Sequence, residues 1–121
     1  MEQQPETLKV LVCGSRDWED YDTVLERLKS LPTGIAIIEG AAKGADTMAK
    51  TAAQELGLSV IEVPADWKRY GRAAGPIRNK EMLDLEPALV IAFHKDITAS
   101  KGTANCVEEA RKRDIPVEIV T

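Results

Sequence analysis

The chain has 121 residues, one domain's worth of sequence. Hydrophobic residues at 44% and charged residues at 30% exclude a disordered chain. A net charge of −4 argues against general nucleic-acid binding, which rests on counterion release by clustered Lys and Arg. A domain of this size buries roughly two-thirds of its unfolded surface and needs no metal or disulfide to hold it. The longest apolar runs, Ile35–Ile38 and Ala88–Phe93, fall far short of the roughly 18 residues of a membrane-spanning helix. The opening MEQQPETLK carries no apolar signal segment, so the expected compartment is the cytoplasm and no membrane partner is expected. Cys13 and Cys106 have no metal-ligand spacing and read as reduced, small, buried residues.

Taken in chain order, residues 1–7 are expected to be loose and residues 8–121 to form the domain. Leu8–Cys13 is an apolar run that stops at Gly14-Ser15 and predicts a strand. Tyr21–Leu31 has Val24, Leu25, Leu28 and Leu31 at helical spacing, and Pro32-Thr33-Gly34 breaks it. Ile35–Glu39 predicts a second strand and Ala45–Leu56 a second helix, with Met48, Ala49, Ala52, Ala53 and Leu56 on one face. Leu58–Val63 predicts a third strand, closed by Pro64. Asp66–Gly75 has no clean period. Pro76 suits the first turn of a helix over Ile77–Leu85, which Pro87 ends. Ala88–Phe93 predicts a strand, Gly102–Arg113 a helix and Val117–Val120 a last strand.

Strands alternating with helices predict βαβ units: a single α/β domain of three layers, Rossmann-like, with a mostly parallel sheet. Continuously apolar strands agree, since a parallel sheet is buried on both faces. Right-handed crossovers favour the strand order 3-2-1-4-5. That order puts a switch point between the first and fourth strands, with a crevice at their carboxyl ends.

The loops facing this crevice carry the chemistry. After the first strand, Gly14 permits close backbone approach, Ser15 offers a hydroxyl and Arg16 a fork-shaped donor suited to phosphate; the other reading is a plain turn with a solvated Arg. After the second, Gly40-Ala41-Ala42-Lys43-Gly44-Ala45-Asp46 is neither GxGxxG nor a P-loop, yet its small residues lead into a positive helix end. Asp46 is either a ligand contact or a first-turn carboxylate favoured by the dipole. After the fourth, Ser100-Lys101-Gly102-Thr103 forms an anion cradle, or Ser100 or Thr103 caps the helix, and the two roles are compatible. Asp66–Lys80 concentrates Lys68, Arg69, Arg72, Arg78 and Lys80. Four of the five aromatics, Trp18, Tyr21, Trp67 and Tyr70, follow the first and third strands. Of these, Trp18, Trp67 and Tyr70 are candidates for base stacking, for covering the sheet edge or for a subunit interface. His94, the only histidine, has no partner for a metal site and reads as a loop or packing residue.

At these loops the chain resembles the SLOG superfamily, specifically its YspA-like, cpYpsA-related family. The matching residues are Gly14-Ser15-Arg16-Asp17-Trp18, Gly40 to Asp46, Asp66-Trp67, Ala74 to Met82 and Ser100 to Thr103. The resemblance implies a Rossmann-like fold and a nucleotide or nucleotide-derived ligand of the NAD or ADP-ribose kind. It implies ligand contacts at Gly14, Ser15, Arg16, Gly40, Lys43, Gly44, Asp46, Arg78, Asn79, Ser100, Gly102 and Thr103. It also implies self-association, so a homo-oligomer is expected. The chain is similar to Lonely Guy phosphoribohydrolases in having Arg78 four residues before Met82. It departs from their PGGxGTxxE pattern, with Thr98-Ala99-Ser100 in place of PGG and Cys106 where their catalytic glutamate stands. The resemblance to the DNA processing protein A family lies in Gly14-Ser15-Arg16 and Gly44-Ala45-Asp46.

The reading is therefore a module that binds a nucleotide-derived small molecule, as a sensor or sequestering protein, with no catalytic residue, cofactor or metal assigned. The alternatives are a hydrolase acting on an N-glycosidic or phosphoester bond of such a ligand, and a single-strand nucleic-acid binder.

Overall fold

The computed structural model describes residues 7–121. The expectation for residues 1–7 lies outside these, apart from Thr7, which is exposed. The elements are β1 (Lys9–Gly14), α1 (Tyr21–Lys29), β2 (Ala36–Glu39), α2 (Ala45–Glu55), β3 (Ser59–Glu62), α3 (Trp67–Tyr70), α4 (Ala74–Leu83), β4 (Leu89–Phe93), α5 (Lys101–Lys112) and β5 (Val117–Val120). Short 3-10 turns at Gly71–Ala73 and Ile97–Ala99 lead into α4 and α5. The sheet is fully parallel in the order β3-β2-β1-β4-β5, the order expected from the sequence.

The three central strands, β2, β1 and β4, are buried on both faces, while the edge strands β3 and β5 are partly exposed, and the alternation along the strands sorts the core into two layers. Val10, Val12, Ile37, Ile91 and Phe93 face α1 and α2, where Val24 and Leu28 meet a stripe of alanines, Ala45, Ala49, Ala52 and Ala53. The alanines are small enough to let α2 lie close to the sheet and to α1. Leu11, Cys13, Ile38, Val90 and Ala92 face the other way, onto Met82 and Leu83 of α4 and Cys106, Val107 and Ala110 of α5. Helix starts follow their caps: the Asp20 carboxylate accepts from the Thr23 N–H at 3.1 Å, and the Ser100 hydroxyl from the Thr103 N–H at 3.2 Å.

Two differences from the sequence reading concern the segment between β3 and β4. Asp66 caps one helical turn, its carboxylate accepting from the Arg69 N–H at 3.1 Å. A single exposed turn leaves no periodicity to detect. Helix α4 begins two residues before Pro76, at Ala74. Pro76 still falls among the first helical residues, whose N–H groups have no partner inside the helix, so its missing donor costs nothing there.

A third difference concerns an aromatic. Trp18 is a core residue and not a stacking platform. It is 5% exposed, its ring centroid is 5.6 Å from that of Phe93, and its indole N–H donates to the Asp20 carbonyl at 2.9 Å. The turn after β1, closed by the Trp18 N–H on the Ser15 carbonyl, folds the indole back onto the sheet.

Candidate functional site

A cleft of about 580 Å³ opens at the carboxyl ends of β1 and β4, between α4 and the start of α5. The backbone is tight at its floor. The Ser15 N–H donates to the Phe93 carbonyl at 2.9 Å, and a side chain at Gly14 would run into that carbonyl. Gly44 has φ +74°, and a Cβ there would strike the Ser15 carbonyl. It lets the start of α2 dock under the β1 loop, where the Ala45 N–H donates to the same Ser15 oxygen at 3.0 Å.

The start of α5 forms one wall. Ser100 takes the Thr103 N–H on its hydroxyl and the Ala104 N–H on its carbonyl, the latter at 3.2 Å. The N–H groups of Lys101 and Gly102 then have no partner among the described residues and stand at the positive end of a twelve-residue helix. Such a terminus accommodates an anion.

Helix α4 supplies Arg78 and Asn79. Arg78 is half-buried and held by two bonds, Nε to the Asn79 Oδ1 at 3.0 Å and Nη1 to the Gly40 carbonyl at 2.6 Å. Nη2 donates to no described residue. Asn79 is 3% exposed, and its Nδ2 reaches the Gly102 carbonyl at 3.3 Å and the Asn105 Oδ1 at 3.0 Å. It acts as a strut between α4 and the start of α5, and it aims Arg78.

The opposite wall is the first turn of α2. Asp46 is 5% exposed, and its Oδ2 accepts from the N–H groups of Gly40 at 3.1 Å and Ala42 at 3.3 Å. Burial pushes its carboxyl up to about 6, against the opposing pull of these two N–H groups and of Arg78 and Arg16. The Ala41 N–H goes to the Glu39 Oε2 at 2.6 Å. Three N–H groups of the loop after β2, those of Gly40, Ala41 and Ala42, thus go to the chain's own carboxylates.

The cleft brings together Gly14, Ser15, Arg16, Asp46, Arg78, Asn79, Ser100, Gly102 and Thr103, with Trp67 at its margin. Gly40, Lys43 and Gly44 do not line it: Gly40 is buried behind Arg78 and Asp46, Gly44 is a packing glycine, and Lys43 is exposed elsewhere. Tyr70 also stands outside, with the Arg69 guanidinium 5.1 Å from its ring centroid. Cys106 lies in the second turn of α5. It is buried against Cys13, whose thiol is held well above its usual range by that contact and by burial. Neither suits a nucleophile. Among the described residues no cluster of three or more His, Cys, Asp or Glu is disposed to hold a metal.

Two residues at or near the site escaped sequence reasoning. His94 lines the cleft; its Nδ1 accepts from the Asp96 N–H at 3.0 Å, which puts the ring proton on Nε2. Glu39 is fully buried at the end of β2, in register with Glu62 on β3, and its Oε1 accepts from no described residue. Burial, then the contact with Glu62, pushes its carboxyl up to about 8. The available signal was a glutamate ending each of two adjacent apolar strands.

Residues 8–70 match the family described as YspA, cpYpsA-related SLOG family. The Gene 61 protein of Mycobacterium phage D29 is 35% identical over 118 residues, spanning 90% of this chain and 93% of that protein. In three dimensions the chain is similar to DNA processing protein A from Streptococcus pneumoniae, with a TM-score of 0.79 at 23% identity. That likeness covers 95% of this chain but 50% of the other, so the chain spans half that protein's length, and the likeness shows the fold. On the family match and the phage relative together, the chain belongs to the YspA, cpYpsA-related SLOG family.

Proposed function

We propose that the cleft binds a nucleotide or nucleotide-derived small molecule and that the protein acts as a sensor or sequestering module. The observation that carries this reading is the pairing, across one cleft, of the free Lys101 and Gly102 N–H groups with the free Nη2 of Arg78. Backbone N–H groups at a helix start and a guanidinium fork are a common phosphate-binding combination. Arg16 and Arg72 add positive charge, and Trp67, 50% exposed at the margin, offers a ring for a base. The volume suits a ligand of mononucleotide to dinucleotide size. Mass spectrometry of small molecules released from the purified protein tests the reading. A phosphorylated nucleoside derivative is the expected finding. Failure of the protein to retain or bind AMP, NAD or ADP-ribose would overturn it.

One observation favours a hydrolytic alternative. Asp46, with its carboxyl at about 6, has the proton affinity of a general acid or base at the cleft wall. Incubation with AMP, NAD and ADP-ribose, followed by chromatography, separates the two: intact ligand supports binding alone, and free base or ribose phosphate supports turnover.

A further inference from the structure

Asp46 is, among the described residues, the buried carboxylate at the cleft wall; Asp17, the other carboxylate lining the cleft, is exposed. Its position is unexpected for a site that holds only an anion, because a carboxylate beside the arginines weakens their attraction for phosphate. Part of its role is internal, since Oδ2 takes the Gly40 and Ala42 N–H groups and orders the loop after β2. That role occupies one oxygen. Oδ1 accepts from no described residue. An ionised carboxylate offers only acceptors, and a free oxygen carries two lone pairs. A ligand group meeting Oδ1 must therefore be a donor, and two neighbouring hydroxyls would use both lone pairs.

Resting on the nucleotide reading above, we infer that Asp46 reads the vicinal hydroxyl pair of a ribose, so that the cleft takes ribonucleotides and their derivatives and discriminates against deoxyribonucleotides. The two ends of such a ligand have fixed receptors. Gly102 at the start of α5 bonds Asn79, Asn79 bonds Arg78, Arg78 bonds Gly40, and Gly40 bonds Asp46. This chain of side-chain and backbone bonds holds the anion end and the hydroxyl end in one frame. The carboxylate is already oriented by two N–H groups, so little ordering is needed when a ligand arrives.

Calorimetric titration of the full chain near neutral pH with AMP and ADP-ribose, each paired with its 2′-deoxyadenosine analogue, tests the assignment. Loss of a hydrogen bond to a charged group predicts about ten- to a hundredfold weaker binding of the deoxy ligands. In Asp46→Asn, which keeps a side-chain oxygen for the loop N–H groups, the ribo and deoxy ligands should bind alike. Equal affinity for both in the unmodified protein would overturn the ribose inference and leave the nucleotide reading standing. A ribo preference that survives in Asp46→Asn would overturn the role of Asp46. Absence of binding by AMP and ADP-ribose would overturn both. Should Asp46→Asn fail to fold, the unmodified protein with the 2′-deoxy and 3′-deoxy ligands decides: loss of affinity on removing either hydroxyl supports a contact to the pair, and no loss refutes it.

Discussion

Arg78 serves the fold and the cleft at once. From the sequence it reads as a ligand contact, but its bonds to Gly40 and Asn79 also fasten α4 to the end of β2. Arg78→Ala should therefore reduce ligand affinity by about ten- to a hundredfold and also lower stability by about 1–3 kcal/mol. Chemical denaturation alongside a binding titration measures both, and a loss of stability with unchanged affinity would make Arg78 purely structural. The residue scale is also where the sequence was least legible. Whether Trp18 stacks on a ligand or packs in the core depends on a turn that swings it onto Phe93, and nothing in Gly14-Ser15-Arg16-Asp17-Trp18 announces that. Likewise Asp46 reads equally as a dipole-favoured residue or a ligand contact until its two loop N–H partners are seen.

At the scale of elements, the starts of α5 and α2 both follow strands at the same edge but differ in charge. Next to the open Lys101 and Gly102 N–H groups in the chain stand the hydroxyl residues Ser100 and Thr103, whereas the first turn of α2 carries the buried Asp46 carboxylate, and Asp46 and Glu39 take the N–H groups of Gly40, Ala41 and Ala42. A carboxylate at that helix start disfavours an anion. Ser100→Ala removes the cap and should cost about 0.5–2 kcal/mol of stability. It should also weaken ligand binding, because the helix start that presents Lys101 and Gly102 loses its anchor. Thermal melting and calorimetry on this variant check the two effects, and unchanged affinity would detach the site from α5. Long elements were readable from sequence because their apolar periods are complete: all five strands were anticipated within one residue at either end. Helix α3 was not, since four exposed residues bury no face.

At the scale of the whole molecule, the carboxyl groups pull stability in opposite directions with pH. Glu39 and Asp46, raised to about 8 and about 6, hold their protons longer in the folded chain than in the unfolded one. Their contribution is complete at low pH and is lost as pH rises through these values. For Asp46 the rise from 3.8 to about 6 is worth on the order of 3 kcal/mol. Asp20, Asp96, Glu62 and Glu118 are shifted down by their hydrogen-bond partners, and their contribution is lost as pH falls below the usual carboxylate range. Stability should therefore peak in mildly acidic solution and decline toward alkaline pH. Glu39→Gln should flatten the upper part of that decline in a series of thermal melts; an unaltered decline would place the titrating group elsewhere. Crossover handedness and apolar strands narrowed the strand order to a few, of which the expected 3-2-1-4-5 is the one found, and that order places the cleft. An amide and guanidinium nuclear magnetic resonance titration of the full chain with ADP-ribose tests whether this cleft takes the ligand. The largest shifts are expected at the Lys101 and Gly102 N–H groups and the Arg78 side chain. Shifts confined to the outer face of α5, at Glu108, Arg111 and Lys112, or no shifts at all, would contradict that expectation.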